Sequence, residues 1–311
     1  MKLKNEKIRD DLYKMLTILT PTYNRGYILP KLLKSLENQR DLDFQWIIID
    51  DGSTDETNTL VSSWIMEHRK FLIKYLRKEN GGKHTALNYA MPYVDTPFVM
   101  IVDSDDELTS TAVSKIKCWL KLVEEDMSFA GVSGLRGVSE FKKIGEFPKK
   151  ICEGGYIDAL NTERRKKHLR GDKAEVYRTK LLQEYAFPEI KGEKFLTESV
   201  VWNELAYNGY KVRWYNDIIQ ITNYLDDGLT QNLQKNRFKN FEGYTLEIKS
   251  EMRCDDYYKY RCLGRYLIMA HKKGLKKEEV CNKLGIRKMD FFIGRMISFL
   301  QNFRDCFRKY F

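Results

Sequence analysis

The strongest constraint on the fold is a repeated switch in hydrophobic period over the first 125 residues. Short apolar runs, MLTILT (15–20), FQWIIID (44–50), FLIKYL (71–76) and FVMIVD (98–103), alternate with segments of helical spacing. Those segments carry Ile28, Leu29, Leu32, Leu33 and Leu36, then Leu60, Val61, Trp64 and Ile65, then Ala86, Leu87, Ala90 and Met91. Apolar runs of this kind suit strands buried on both faces, and strand–helix–strand repetition requires parallel neighbours joined by crossovers. The expected fold is α/β, a mostly parallel sheet flanked by helices. In such sheets ligands bind beyond the carboxyl ends of the strands.

Each expected strand ends on an unusual loop: TPTYNR, DDGSTD, RKENGGKHTALN and DSDDE, in that order. Taken singly they are ordinary. DDGSTD reads as a turn before a helix capped by Ser53, Thr54 or Asp55, NGGK as a glycine turn, and Tyr23 as a packed aromatic. Together they gather carboxylates, glycines and a lysine on one expected edge. The acids are conspicuous because the 311-residue chain is basic, with 54 Lys and Arg against 44 Asp and Glu. That balance suits an anionic partner without choosing among nucleotides, phospholipid headgroups and nucleic acid. Six cysteines without a C-x-x-C pair argue against a zinc ribbon or redox motif and read as reduced thiols. The charged N-terminus lacks the apolar core of a secretory signal, and no stretch approaches the roughly 18 apolar residues of a spanning helix. A cytoplasmic protein is expected.

In VDSDDE, Asp103 and Asp105 leave an ending strand together with Asp106. They repel one another unless a divalent cation is bound, and oxygen ligands without nearby His or Cys favour Mg²⁺ or Mn²⁺ over zinc. Such ions are held by one or two carboxylates plus phosphate oxygens, so the implied ligand is a metal-bound diphosphate. Tyr23 offers a flat face for a base, Asp51 can accept from a nucleoside, and Lys83 beside Gly81 and Gly82 can approach phosphate. A Walker loop and a G-x-G-x-x-G fingerprint are both absent from the sequence, which argues against ATPases, kinases and ordinary NAD enzymes.

TPTYNRGYILPKLLKSLENQ, IIIDDGSTDET, ENGGKHTALNYA and FVMIVDSDDEL resemble, in order and spacing, the nucleotide-sugar half of family 2 glycosyltransferases of the GT-A fold. GDKAEVYRT, FPEIKGEKFLTESVVWNELA and NYLDDGLT are similar to a bacterial branch associated with capsular and cell-surface polysaccharides. The resemblance implies a Rossmann-like GT-A domain over 1–236, with a nucleotide-sugar half at 14–125 and an acceptor half at 126–236. It also implies an inverting, metal-dependent transferase that moves a sugar from a UDP donor to a hydroxyl of a surface glycan or a polyprenyl-diphosphate-linked acceptor.

Carried over by position, Pro21, Tyr23 and Asp51 would hold the base. Asn80, Gly82, Lys83 and Ser104 would line the donor. Asp103 would touch ribose or metal, and Asp105 would ligate Mn²⁺ or Mg²⁺. Asp50 would shape its loop. The family's catalytic acid pair reads Glu198–Ser199 here. Serine cannot act as a base at neutral pH, so Glu198 is the candidate base, with a structural role at a helix start as its alternative. Asp172 is the second candidate, with Lys173 and Arg178 as its expected partners. Trp202 is either core or a sugar-stacking residue.

ERRKKHLR (163–170) reads as a solvated loop or a phosphate contact. The region 237–311 is helical in period. Its last segment places Met289, Phe292, Ile293, Met296, Phe299, Leu300, Phe303 and Phe307 on one stripe, with basic residues mostly off it. That stripe suits packing against protein or an anionic membrane surface, which would make the chain peripheral at the inner face of the membrane. Nucleic acid is not an expected partner. Two other readings compete: a nucleotidyltransferase, disfavoured by the glycine-poor first loop, and a non-catalytic nucleotide-sugar-binding protein, kept open by Ser199.

Overall fold

The computed structural model describes residues 14–223, 231–254 and 256–310. Ten strands form one sheet among these residues. Its first part holds β1 (Leu16–Thr22), β2 (Gln45–Asp50), β3 (Leu72–Arg77) and β4 (Phe98–Ile101) in the order β3-β2-β1-β4, all parallel. The crossovers run through α1 (Leu29–Glu37), α2 (Thr57–Met66) and α3 (Lys83–Ala90). The parallel sheet expected from the periodicities is therefore present, and its four loops open on one edge.

Alternation along each buried strand sorts side chains between two cores. Leu16, Ile18, Trp46, Ile48, Phe98 and Met100 pack with α1, α2 and α4 (Ala112–Lys121). Leu19, Ile47, Ile49 and Val99 face the other way, toward α3, α5 (Thr179–Glu184) and α6 (Ser199–Tyr207). Each fully buried Leu or Ile contributes about 1.5–3 kcal/mol, which is why a run such as QWIIID is specified as a central strand despite its lack of polar alternation.

The second half completes the same sheet. After β5 (Glu107–Leu108), β6 (Phe129–Ser139), β7 (Lys142–Lys143) and β8 (Tyr156–Ala159) come β9 (Lys173–Arg178) and β10 (Lys211–Ile221). β9 lies between β4 and β6, antiparallel to both, so β6 runs in the same direction as β4. GDKAEVYRT carries no strand expectation in the sequence, because the charged Lys173 and Glu175 break the apolar pattern, although Lys173 is itself buried. Its inward Ala174 and Val176 nevertheless join the core.

The C-terminal helices are α7 (Leu233–Lys239), α8 (Phe241–Met252), α9 (Asp256–Lys272), α10 (Lys277–Leu284) and α11 (Lys288–Tyr310). They build a third apolar cluster from Phe241, Tyr244, Ile248, Leu263, Tyr266 and Phe291, among others. On α11 the face turned to α9 carries Asp290, Phe291 and Gly294, where an added Cβ would lie 2.6 Å from Leu263. Met289, Phe292, Met296 and Phe299 of the anticipated stripe are exposed. The side chains of Leu300, Phe303 and Phe307 lie outside the described residues, as do residues 224–230 of NYLDDGLT.

Candidate functional site

The first two loops are laced together by short-range polar contacts. Asn24, at a left-handed φ of 52°, donates its backbone N–H to Ser53 Oγ (2.9 Å), and Asn24 Oδ1 accepts from the Thr54 N–H (2.7 Å). Gly26 N–H reaches Asp55 Oδ2 at 3.0 Å. Asp50 is fully buried; it accepts from Ser53 N–H (2.7 Å) and from the Tyr75 hydroxyl (2.5 Å). These contacts make Asp50 a loop-shaping residue. Pro21 is buried at the strand end and Tyr23 is exposed above it.

Asp51 sits under the third loop. Its carboxylate accepts from the Gly81 N–H (2.9 Å), the Gly82 N–H (2.7 Å), Asn80 Nδ2 (3.0 Å) and Lys78 Nζ (3.1 Å). A carboxylate offers about four acceptor positions, so in this arrangement Asp51 is filled by the glycine loop itself. Beside it lies a cleft of about 630 Å³, lined by Gly52, Arg77, Lys78, Glu79 and Asn80. Gly82 has φ +97°, and a Cβ there would overlap the backbone carbonyl of Lys194. Glycine is required here on both counts. Lys194 Nζ also donates to Asn80 Oδ1 (2.7 Å). Gly82→Ala is expected to lower the melting temperature by several degrees and to raise the donor KM, read by calorimetry and donor titration.

The close approach at Gly82 brings the 191–198 segment against the glycine loop. Lys83 Nζ lies 2.5 Å from Asp103 Oδ1 and 2.6 Å from Glu198 Oε1. Asp103 and Glu198 retain 30% and 32% exposure, so both face open space. Burial would lower the Lys83 pKa, but the two carboxylates outweigh it and raise it. Burial would raise Asp103, yet Lys83 and Arg136 hold it below the usual carboxylate range.

Arg136, on β6, spans the acidic loop from its other side, 3.7 Å from Asp103 Oδ2 and 3.3 Å from Asp106 Oδ2. Asp106 is buried and also accepts from Gln220 Nε2 (2.5 Å). Burial, reinforced by Asp103 and Asp105, pushes Asp106 up to about 7 against the pull of Arg136. Asp105 is half-buried, and no side chain among the described residues donates to its carboxylate. Burial and the neighbouring Asp103 raise its pKa. An all-oxygen corner with one unpartnered carboxylate fits Mg²⁺ or Mn²⁺ completed by phosphate oxygens. Among the described residues no three His, Cys, Asp or Glu side chains gather as a preformed metal cage. Ser104 is buried between the two acids.

Asp172 is exposed at the start of β9. Its expected partners are engaged elsewhere. Arg178 lies at the opposite end of the strand and donates to the carbonyls of Phe129 and Val123 (both 2.8 Å), while Lys173 is buried and donates to Arg170 O (2.8 Å). Asp172 does contribute to the negative field that raises Arg136, together with Asp106, Asp103 and Glu175. Trp202 stacks on Tyr177 at 4.2 Å and meets Phe187 edge-on, so it belongs to the core. Arg136, Gln220 and Lys78 were not foreseen. For Arg136 and Gln220 the available signal was a lone polar residue inside an otherwise apolar strand, which costs free energy unless it is paired; Lys78 lies in the loop after β3, where no such signal exists.

Residues 17–185, more than half of the chain, match the profile of glycosyl transferase family 2. The chain belongs to that family. It is 27% identical over 275 residues to a GalNAc(5)-diNAcBac-PP-undecaprenol beta-1,3-glucosyltransferase of Campylobacter jejuni, covering 84% of each chain. Among solved structures it is similar to residues 1–349 of S. aureus TarS in complex with UDP-GlcNAc. That match has a TM-score of 0.56 at 19% identity and covers 83% of this chain and 72% of the other. The mannosyltransferase PcManGT from Pyrobaculum calidifontis, solved with GDP-Man and Mn²⁺, gives 0.56 at 16% identity over 93% and 88% of the two chains. These likenesses place the fold among GT-A glycosyltransferases. This family 2 chain is thus a glycosyltransferase, and the acidic corner, glycine loop and Glu198 meet at the edge where its parallel strands end.

Proposed function

We propose that the protein transfers a sugar, with inversion, from a UDP-sugar to a hydroxyl of a cell-surface polysaccharide or lipid-linked acceptor. The observation that carries this reading is the Asp103–Lys83–Glu198 bridge, which sets a carboxylate of the acceptor half beside the diphosphate corner. The base and ribose lie along Pro21, Tyr23 and the cleft beside Asp51 and Asn80. Asp105 and Asp103 would hold Mn²⁺ or Mg²⁺, which would supply stabilisation of negative charge on the departing diphosphate. Lys83, released from its two carboxylates by the incoming phosphates, adds a second positive charge there. Glu198 takes the proton of the acceptor hydroxyl as its oxygen bonds to the anomeric carbon from the face opposite the diphosphate. The bond from that carbon to the diphosphate oxygen breaks, and UDP leaves with the electron pair. Incubation with a panel of UDP-sugars, acceptor extract and Mn²⁺ should release UDP; pyrophosphate release would assign a nucleotidyltransferase instead.

The acceptor side of this reading includes a membrane surface. Among the described residues no helix is long and apolar enough to cross a membrane. α11 instead presents Met289, Phe292, Met296 and Phe299 outward, with Arg287, Lys288 and Arg295 beside them and Lys277 Nζ over the Phe292 ring at 4.5 Å. An exposed apolar stripe with basic flanks suits an anionic interface. The double variant Met296→Glu, Phe299→Glu is expected to weaken partition to phosphatidylglycerol vesicles by about tenfold or more, read by co-sedimentation. Unchanged partition would remove α11 from this role.

A further inference from the structure

Residues 185–198, between α5 and α6, form neither helix nor strand. No ladder of backbone hydrogen bonds therefore fixes where Glu198, at the end of this segment, points. Its place depends on what the segment is tied to. On one side is the glycine loop, where Lys194 O packs on Gly82 and Lys194 Nζ reaches Asn80. On the other is the N-terminus of α8.

This second tie is a cap shared between two segments. Glu193 Oε1 accepts from the Glu242 N–H (2.9 Å) and Glu193 Oε2 from the Gly243 N–H (2.7 Å). These are among the first N–H groups of α8, which have no acceptor inside the helix, and a carboxylate there also meets the positive end of the helix dipole. Asn240, between α7 and α8, does not cap α8 with its own side chain. Its Oδ1 instead accepts from the Lys194 N–H (2.8 Å), and its Nδ2 donates to Asn236 O (2.8 Å). Each segment supplies the side chain that satisfies the other's backbone, the reciprocity of a capping box divided between distant parts of the chain. Gly243 permits the approach, since a Cβ there would lie 2.9 Å from Phe195 O. Farther along, α8 also holds α6, the helix that Glu198 begins. Asn203 Nδ2 donates to Ser250 Oγ (3.0 Å), the Tyr207 hydroxyl donates to Ser250 O (2.7 Å), and Arg253, just after α8, pairs with Glu204 (2.8 Å).

Building on the reading of Glu198 as the base, we propose that α8 is the scaffold that aims Glu198 at the acceptor hydroxyl and that Glu193 is the positioning residue that fixes the segment to it. The Lys83 contact cannot do this during turnover, because the incoming phosphates draw Lys83 away. The tie to α8 contains no group that a donor would engage, so it persists when the donor is bound. A proton acceptor displaced by about 1 Å can cost about a hundredfold in rate, which makes the anchoring of an irregular segment matter to the chemistry. The C-terminal helices then serve the reaction as well as packing on the sheet domain.

The test compares the full chain with Glu193→Ala, Glu198→Gln and the double variant. Turnover is read as UDP release from the active UDP-sugar of the panel with acceptor extract, and donor binding as UDP-induced thermal stabilisation. Glu193→Ala is expected to lower the melting temperature by about 2–4 °C and, well below that temperature, to lower kcat by about tenfold to a hundredfold with UDP-induced stabilisation unchanged. A residue that served stability alone would leave the kcat of the folded enzyme intact, so turnover of Glu193→Ala within about twofold of the parent overturns the proposal. Because Glu193 acts through Glu198, adding Glu193→Ala to Glu198→Gln should cost less than about threefold more; losses that multiply in the double variant also overturn it. Parent-like turnover in Glu198→Gln alone is the failure of the base reading itself, and this inference falls with it. Hydrogen exchange supplies a readout without turnover. Glu193→Ala should speed exchange at residues 194–199 and in the first turn of α8 while leaving β1 to β4 unchanged, and unchanged exchange in the first two places overturns the proposal.

Discussion

Glu198→Gln is expected to lower kcat by about 10²- to 10⁴-fold, the range general base catalysis supplies, with donor binding retained. Glutamine keeps the length and the oxygen that Lys83 contacts at 2.6 Å, so the segment against Gly82 should stay in place. What is lost is the group proposed to take the acceptor's proton. The measurement is steady-state UDP release beside UDP-induced thermal stabilisation. Loss of turnover with stabilisation unchanged supports the base assignment. Turnover within a few-fold of the parent would leave Glu198 as the residue that begins α6, and a large loss in Asp172→Asn would then move the role to Asp172.

Asp105→Asn should reduce turnover by about 10²- to 10³-fold, the usual cost of removing one group that stabilises transition-state charge. Metal dependence should go with it: Mn²⁺ should no longer enhance the thermal stabilisation produced by UDP. The fold itself should not suffer. Asp105 has no side-chain donor among the described residues and is repelled by Asp103, so its neutral isostere removes a local penalty. The melting temperature without ligands should hold or rise slightly, the pattern of a residue kept for function at a cost in stability. Activity near that of the parent with Mn²⁺ would sink the metal assignment.

Much of the first, parallel part of the sheet and its loops was legible in the sequence because it is made of local signals. The parallel order of β1 to β4 follows from apolar runs of five or six residues separated by helical periods, and strand ends locate the loops. Gly82 was legible as a loop glycine, although the reason for it, the approach of Lys194, was not. Of the expected stripe on α11, Met289, Phe292, Met296 and Phe299 are exposed together. Its direction could not be read, since Phe291, off that stripe, is the residue that packs inward against the third core.

The second half of the sheet was less legible because its signals are long-range. β9 inserts antiparallel between β4 and β6, pairing residues about eighty positions apart in sequence with Phe98, Val99 and Met100. That register depends on sheet completion and leaves little periodic trace. Arg136, Gln220 and Asp106 meet only because three separate segments end at one edge. Asp172 looked well partnered by Arg178 in sequence, yet a six-residue strand carries them to opposite ends.

By itself, then, the sequence determined the layered α/β architecture, the family and the identity of the acidic, metal-suited corner, since hydrophobic period and turn chemistry act over a few residues. Only the tertiary structure decided which carboxylate faces that corner. Glu198 lies 115 positions beyond Lys83, and no local rule brings two groups together over such a span; packing of the 191–198 backbone on a side-chain-free Gly82 does.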